Sequence, residues 1–560
     1  MSVSTAPSDL AEALALHRAG RMADAESAYA RYLASHPDDA DALNNAGVAA
    51  VQGGNAELAI SRFEQLVAVA PRHAQGHNNL GYALICAGRF EAALNCLERA
   101  VALRPGYAQA YNNLGIAHEN VLHRDDAIRA FEQALYIAPA YADAAANLGE
   151  VLNRDGNTAH ARTVLERASA AQPSHVGVRA ALAATEALDG NLARALDVVE
   201  SMAGGGLHEP LFWQTLGTLR SWAGDTAASE AAFRTALTFD AHDRRSWFGL
   251  AASLLARGRF EEGWRAFEQR PDGCLGNPTR FGEIPSWDGG AVDGALLLTC
   301  EQGLGDVVQF SRFIPGARSR VRRLVLLLDR SRASLAPLLA TLAGVDAICT
   351  DAAELAELGE RPVARASVLS LPYLLGVRVD DLPGAMPYLS APEERVALWK
   401  PRLEGIARPR VGIAWAAYAR RDMAYITQQK SVPLALLAPV LAGSKANFVS
   451  LQVGPAGKVE HDALPGIADF TADIRDFGDT AAIMSELDLV ISSDTSVAHV
   501  AGALGKPVWM LDRYNTCWRW RLAQDRSPWY PTLCIFRQKR FGDWGEPLAR
   551  LGAALDELAS

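Results

Sequence analysis

The hydrophobic pattern of the first half of the chain repeats every 34 residues. Glycine, alanine, a large apolar residue and proline each return at a fixed position of this period. The glycines are Gly47, Gly81, Gly115 and Gly149, the alanines Ala59, Ala93, Ala127 and Ala161, the large residues Phe63, Leu97, Phe131 and Leu165, and the prolines Pro37, Pro71, Pro105, Pro139 and Pro173. Such a period is typical of a helix–turn–helix unit whose apolar face is buried by the next unit. It predicts about eight units between residues 6 and 271.

This pattern resembles the tetratricopeptide repeat, which implies an all-α superhelix with a concave groove. Four asparagines precede the repeat glycines by two residues, on the helix that lines the groove in such arrays: Asn45, Asn79, Asn113 and Asn147. A carboxamide both donates and accepts hydrogen bonds, so it can bind a peptide backbone whatever the side chains are. The series resembles the asparagine ladder of the O-linked N-acetylglucosamine transferase, which implies that it binds an acceptor protein. The alternative is that asparagine is simply common in such repeats.

The second half of the chain has a different texture, in which short apolar runs alternate with helical patterns. Residues 272–290 are rich in turn residues and are predicted to be a linker. Seven apolar runs are predicted to be buried parallel strands: 295–299, 324–328, 367–371, 411–415, 448–452, 487–491 and 507–511. They fit two open α/β sheets, at 291–400 and 401–560, with a binding cleft between them.

Two motifs follow predicted strands and are expected to face this cleft. The first is Glu301-Gln302-Gly303-Leu304-Gly305-Asp306, in which Asp306 enters the first turn of a helix. Gly303 and Gly305 allow a tight turn and are candidates for binding the nucleotide donor. The second is Ser492 to His499, in which Asp494, Thr495 and Ser496 lie where a strand turns into a helix. Free backbone N–H groups at a helix start hold phosphate well. Asp494 is expected to cap the helix or bind a sugar hydroxyl, and His499 to lie one turn further on.

A basic loop follows the run at 411–415 and carries Arg420, Arg421 and Lys430. Cationic side chains suit a departing phosphate, because they balance its developing charge. The alternative is a mobile, solvated loop. Gln452, which closes the run at 448–452, is a further candidate for binding the donor.

The second half resembles the family 9 glycosyltransferases, which are heptosyltransferase-like enzymes of the GT-B fold. The strings that carry the resemblance are EQGLGD (301–306), GIAW (412–415), SSDTSVAH (492–499), GALGKPVW (502–509) and residues 518–544. It implies two Rossmann-like domains facing a cleft, with Asp306 as the catalytic base. It also implies that Thr495, Ser496 and His499 bind the nucleotide phosphates, with Lys430 as an approximate match to the phosphate-binding lysine. The segment around Lys430 departs from the family's threonine- and arginine-rich form, so it does not identify the donor nucleotide.

The resemblance implies inverting, metal-independent glycosyl transfer from a nucleotide sugar, with no further cofactor. A repeat array joined to such a domain suggests Ser and Thr hydroxyls of a protein acceptor. Bacterial proteins of this architecture point to flagellin, with a nonulosonic acid from a CMP donor. Two alternatives stay open: a non-catalytic scaffold with a degenerate transferase fold, and a heptosyltransferase-like enzyme of surface polysaccharide assembly.

Composition excludes only a few classes of function. The 560 residues are 49% hydrophobic and 21% charged, and the net charge of −10 disfavours a nucleic-acid-binding face. The seven cysteines contain no C-x-x-C pair, which argues against a zinc site and a disulfide framework. No signal peptide or membrane-spanning run is recognised, so the expected location is the cytoplasm.

Overall fold

A computed structural model describes residues 6–202, 208–270, 281, 283–378, 382, 386–417, 429–454, 464, 466–520 and 524–558. The chain divides into two compact units, Met1–Asp189 and Gly190–Ser560. The predicted boundaries at 271, 290 and 400 stay predictions.

Helices recur with the predicted period through both units, as eight A helices that start 34 residues apart, each followed by a B helix. In chain order these helices, α1 to α16, are Ala6–Arg18, Met22–Ser35, Ala40–Gln52, Ala56–Val69, Ala74–Cys86, Phe90–Leu103, Ala108–Asn120, Arg124–Ile137, Ala142–Arg154, Thr158–Ala171, Val176–Leu188, Leu192–Glu200, Pro210–Trp222, Thr226–Phe239, Arg244–Ala256 and Phe260–Phe267. The first unit contains α1–α11, and the second begins just before α12. The predicted all-α repeats are confirmed.

The repeat positions pack as the sequence pattern indicates. A Cβ atom on Gly115 would lie 2.6 Å from the ring of Phe131, and a Cβ on Gly81 would lie 2.5 Å from the side chain of Leu97. The four repeat alanines are fully buried. Glycine is therefore retained because the large residue of the same unit fills the space that a side chain would occupy.

The second unit also contains two parallel sheets. One has the order β3-β2-β1-β4 and the other β6-β5-β7-β8-β9. In chain order β1 to β9 are Val292–Thr299, Val321–Leu327, Ala347–Cys349, Ala364–Ser367, Arg410–Ala414, Asn447–Ser450, Leu489–Ser493, Val508–Asp512 and Leu533–Arg537. The central strands are buried along most of their length, which explains their continuous apolar sequences.

Helices connect these strands. In chain order α17 to α25 are Leu304–Ser311, Ile314–Arg318, Ala336–Leu339, Leu371–Leu374, Glu393–Leu403, Leu434–Ala442, Phe477–Ser485, Ser496–Ala503 and Gly545–Leu558. Short 3₁₀ turns span Ala333–Leu335, Ala352–Leu358, Val368–Ser370, Thr471–Asp473 and Trp518–Trp520. Two parallel sheets with connecting helices confirm an α/β fold. Among the described residues, no helix is both long and apolar enough to cross a membrane.

One predicted strand is wrong. Residues 367–371 were expected to be a strand, but β4 ends at Ser367 and residues 368–374 are helical. The side chain of Ser367 accepts a hydrogen bond from the N–H of Leu369, and Pro372 lies in the first turn of α20. A buried helical turn and a buried strand have equally continuous apolar sequences, so periodicity cannot separate them over five residues.

The predicted linker, 272–290, is described only at residues 281 and 283–290. There Trp287 is buried, and its backbone N–H donates to the carbonyl of Arg365 on β4 at 2.7 Å. Ile284 is also buried, and its carbonyl accepts a hydrogen bond from the side chain of Arg365. This end of the predicted linker therefore packs against the four-stranded sheet.

Candidate functional site

Two helices that follow sheet strands meet in the second unit. α17 follows β1 and α24 follows β7, so both begin at the carboxyl ends of parallel strands, where ligands of such sheets bind. A Cβ on Gly305 would lie 2.7 Å from Cδ2 of His499 and 3.4 Å from Cα of Ser496. The predicted glycine turn and the predicted phosphate-binding turn are therefore in direct contact.

Asp306 lies in the first turn of α17 and is 23% exposed. Its Oδ2 accepts a hydrogen bond from the backbone N–H of Gly303 at 2.9 Å, so the carboxylate caps its own helix. Its Oδ1 pairs with the guanidinium of Arg519. Each carboxylate oxygen can accept a second hydrogen bond, so Asp306 can still receive one from a substrate hydroxyl.

Arg519 is almost fully buried and was not predicted as a site residue. Its Nε donates to Oε1 of Gln309 at 2.5 Å, and its guanidinium lies 4.5 Å from the ring centre of Trp518. Burial opposes its charge, but Cys517 and Asp306 raise the pKa of the guanidinium above its ordinary value. A fixed cation therefore orients the carboxylate of Asp306.

Asp494 forms a second acid–cation pair. Its Oδ2 lies 2.9 Å from Nζ of Lys430, and its Oδ1 accepts a hydrogen bond from Nε1 of Trp520 at 3.0 Å. Burial opposes ionisation, but Lys430 and His499 hold the pKa of Asp494 well below its ordinary value. Asp494 therefore positions Lys430 and Trp520 and is not the helix cap that was one of its two expected roles. The loop arginines Arg420 and Arg421 lie outside the described residues.

His499 is buried, with Nδ1 3.0 Å from the hydroxyl oxygen of Tyr530. Burial lowers the pKa of His499 to about 4, so its imidazole is neutral at pH 7. It packs at 5.3 Å from Trp520 and 5.7 Å from Tyr530, measured between ring centres. His499 is therefore held in one orientation beside Gly305.

The start of α24 offers backbone donors. Thr495 is its N-cap residue in an extended conformation, and no side chain among the described residues caps the helix there. Ser496 and the next residue are the first helical positions, whose N–H groups have no carbonyl partner within a helix. This geometry suits an anion, as the sequence predicted for Thr495 and Ser496.

Gln452 lies just after β6, and its carboxamide is committed to the backbone after β5. Its Oε1 accepts from the N–H groups of Trp415 and Ala416 at 3.0 and 2.8 Å, and its Nε2 donates to the carbonyl of Ala416 at 3.0 Å. Gln452 therefore holds the beginning of the loop that leads to Lys430. A direct contact between Gln452 and a donor stays a prediction.

The turn before Asp306 is stabilised by buried charged side chains. Gln302 has a left-handed backbone conformation, with φ of 58°, and its carbonyl accepts a hydrogen bond from Arg332 at 2.5 Å. Glu301 pairs with the fully buried Arg270 at 2.5 Å and accepts a hydrogen bond from Ser367. Strained residues of this kind are typical of functional sites. No local motif in the sequence links Arg270 to Glu301, which is 31 residues away.

Aromatic residues near the C-terminus pack around the site, where Trp520, Trp529 and Tyr530 are buried and Trp518 is partly exposed. Trp264, on the last repeat helix, lies 5.6 Å from Trp518 and 6.5 Å from Trp529 between ring centres. This cluster joins α16 to the polypeptide around Arg519.

In the first unit, the predicted asparagine ladder forms hydrogen bonds between successive repeats. Nδ2 of each of three ladder residues donates to the asparagine that precedes the ladder position in the previous repeat. These bonds run from Asn79 to Asn44, from Asn113 to Asn78 and from Asn147 to Asn112, at 3.0, 2.9 and 2.9 Å. Asn113 is buried, whereas Asn45, Asn79 and Asn147 are partly exposed. The ladder therefore stabilises repeat stacking, and its role in binding an acceptor stays a prediction.

Comparison with known proteins identifies the repeats. Tetratricopeptide repeat models match residues 10–61, 49–85 and 108–141, and a TPR repeat model matches 87–121. The chain is 31% identical over 338 residues to Protein FlbA of Caulobacter vibrioides, covering 56% of this chain and 55% of that protein. The chain thus spans about half the length of this curated relative.

Two solved structures illustrate the similarity to repeat proteins. A tetratricopeptide repeat protein from Parabacteroides merdae ATCC 43184 is 14% identical, with 45% of this chain and all of that chain covered and a TM-score of 0.41. MamA from Desulfovibrio magneticus RS-1 is 21% identical, with 31% of this chain and 96% of that chain covered and a TM-score of 0.28.

Proposed function

We propose that this protein is an inverting, metal-independent glycosyltransferase of the GT-B fold, which transfers a sugar from a nucleotide donor to Ser or Thr hydroxyls of a protein. The observation that carries the proposal is the contact between the starts of α17 and α24 through Gly305 and His499. It brings a carboxylate, Asp306, beside a helix start with free backbone donors, at the carboxyl ends of strands from two parallel sheets.

Asp306 is the proposed base. It accepts the proton of the acceptor hydroxyl while the oxygen bonds to the anomeric carbon of the sugar. The bond from that carbon to the nucleotide phosphate breaks, and its electron pair leaves with the phosphate. Arg519 holds the Asp306 carboxylate in place for this step.

The phosphates of the leaving nucleotide are proposed to bind at the start of α24. The N–H groups of its first turn and the helix dipole favour an anion there. The side chain of Lys430 is 28% exposed and its ammonium has three donors, so it can contact a phosphate while it pairs with Asp494. The imidazole of His499 is neutral at pH 7 and can hydrogen-bond to the phosphate without first being protonated.

The acceptor is proposed to be a protein bound by the repeats, with flagellin as the first acceptor to test and a CMP-linked nonulosonic acid as the first donor. Tetratricopeptide repeats typically bind protein partners. The carboxamides of Asn45, Asn79 and Asn147 are partly exposed, so they can bind a peptide, and those of Asn79 and Asn147 also link repeats. The acceptor and donor rest on the sequence resemblance alone.

A scaffold without catalytic activity is the second candidate, because both oxygens of Asp306 already have partners within the protein. The two candidate functions are distinguished by incubating the full chain and the acceptor with a panel of nucleotide sugars and measuring the nucleotide that is released. Wild-type protein is expected to release nucleotide, and Asp306→Asn to bind the donor with little release. A scaffold would release none with either protein. Release that depends on a lipid-linked sugar acceptor, but not on protein, would indicate surface polysaccharide assembly.

A further inference from the structure

The fourth repeat departs from the others at the turn between its two helices. His118, in the last turn of α7, occupies a position that is aliphatic in five other repeats, with Ala50, Leu84, Leu152 and Leu254 buried, and charged in two, as Glu186 and Arg220. The periodic sequence thus provides an internal comparison, in which an imidazole stands where most repeats have an aliphatic residue. Nδ1 of His118 is buried and has no hydrogen-bond partner among the described residues.

The turn itself also lacks its usual glycine. Seven other repeats place a glycine with positive φ at this position: Gly20, Gly54, Gly88, Gly156, Gly190, Gly224 and Gly258. The fourth repeat has Leu122, with φ of 63° and a side chain that is 73% exposed. A left-handed conformation costs a non-glycine residue about 1–2 kcal/mol. An additional interaction across this turn would offset that cost.

Two further side chains join His118 across the turn. His123 is the N-cap residue of α8 and Asp126 lies in the first turn of that helix. One ligand atom from each of His118, His123 and Asp126 lies within 4.8 Å of the other two, and the two imidazole centres are 5.9 Å apart. Asp126 also pairs with Arg129, which is 68% exposed and free to turn toward solvent.

We propose that His118, His123 and Asp126 bind a divalent transition-metal ion of the zinc class. Two imidazoles and one carboxylate are a common donor set for such ions, with the remaining positions filled by water. Ligand atoms lie about 2.0–2.2 Å from a bound zinc ion, so these three atoms, now within 4.8 Å of one another, must move closer together on binding, and the exposed His123 has room to do so. The metal would connect the end of α7 to the start of α8 and satisfy the buried imidazole. The absence of a C-x-x-C pair argues only against a cysteine-ligated zinc site, whereas the ligands here are two histidines and an aspartate.

The test uses the full-length protein, stripped with a chelator and titrated with Zn²⁺ in competition with a chromophoric chelator. His118→Leu introduces the residue found at this position in four other repeats, so this variant is expected to fold. It should bind one molar equivalent of Zn²⁺ at least about tenfold more weakly than the wild type does. The matched control is His175→Gln in the same unit, where His175 has a single acidic partner, Asp143, at 3.1 Å. It should bind as the wild type does.

Thermal unfolding provides the second measurement. Zinc is expected to raise the Tm of the wild type and of His175→Gln, because a ligand of the native state stabilises it, but not that of His118→Leu. Equal zinc affinity in the wild type and His118→Leu would overturn the proposal, and so would an equal shift in Tm.

Discussion

Replacing Gly305 by alanine perturbs the contact on which the candidate site depends. The added Cβ would lie 2.7 Å from Cδ2 of His499 and 3.3 Å from its Nε2. Carbon atoms pack at about 3.5–4.0 Å, so the ring or the helix must move by roughly 1 Å. His499 cannot easily yield, because it is buried and its Nδ1 lies 3.0 Å from the hydroxyl of Tyr530.

Overpacking of this kind typically costs about 1–3 kcal/mol, and alanine recovers up to about 1 kcal/mol of helix propensity. Gly305→Ala is therefore expected to lower the free energy of unfolding by about 1–2 kcal/mol, measured by urea denaturation followed by circular dichroism. It should also weaken binding of the nucleotide donor, because α17 and α24 move apart. Gly405→Ala is the control, since a Cβ there meets nothing within 4 Å. An unfolding midpoint for Gly305→Ala equal to that of the wild type would refute the reasoning.

Three further predictions concern stability. Gly115→Ala should destabilise the repeats by about 1–3 kcal/mol in urea unfolding, because its Cβ would meet a buried ring at 2.6 Å, whereas Gly106→Ala has open space and should not. Arg270→Met should cost about 3–5 kcal/mol by leaving Glu301 buried and unpaired; if the double variant with Glu301→Gln regained no stability, the pairing would not be the cause. His499 has a pKa of about 4 in the native state and 6.5 as a free group, so the unfolded state binds its proton first as pH falls. Stability should therefore drop by up to about 3 kcal/mol between pH 6.5 and 4, and His499→Gln should lack this component in urea titrations across that range.

The repeats could be predicted from the sequence because their contacts are local and recur. Gly115 and Phe131 are 16 residues apart, and the same pair returns in the neighbouring units, so the pattern itself carries the packing rule. The strand positions were predictable for a related reason, since strands buried on both faces have continuous apolar runs. Such runs do not distinguish a short buried helix, which is why residues 367–371 were wrongly expected to be a strand.

The partners within the candidate site could not be predicted in the same way. Arg519 pairs with Asp306 from 213 residues away, and no periodicity links the two positions. The glycine turn and the helix start at Ser496 were recognisable because each is a local motif, but their contact is a property of the tertiary fold.

The most direct test of the proposed function is the intact mass of an acceptor protein after incubation with the full-length chain and a nucleotide sugar. With flagellin and a CMP-linked nonulosonic acid, or another donor from a panel, the wild type is expected to add the mass of one or more sugars to flagellin. Asp306→Asn, with unfolding behaviour close to that of the wild type, is expected to add none. Unmodified acceptor with the wild type across the whole donor panel would contradict the account, as would equal modification by Asp306→Asn.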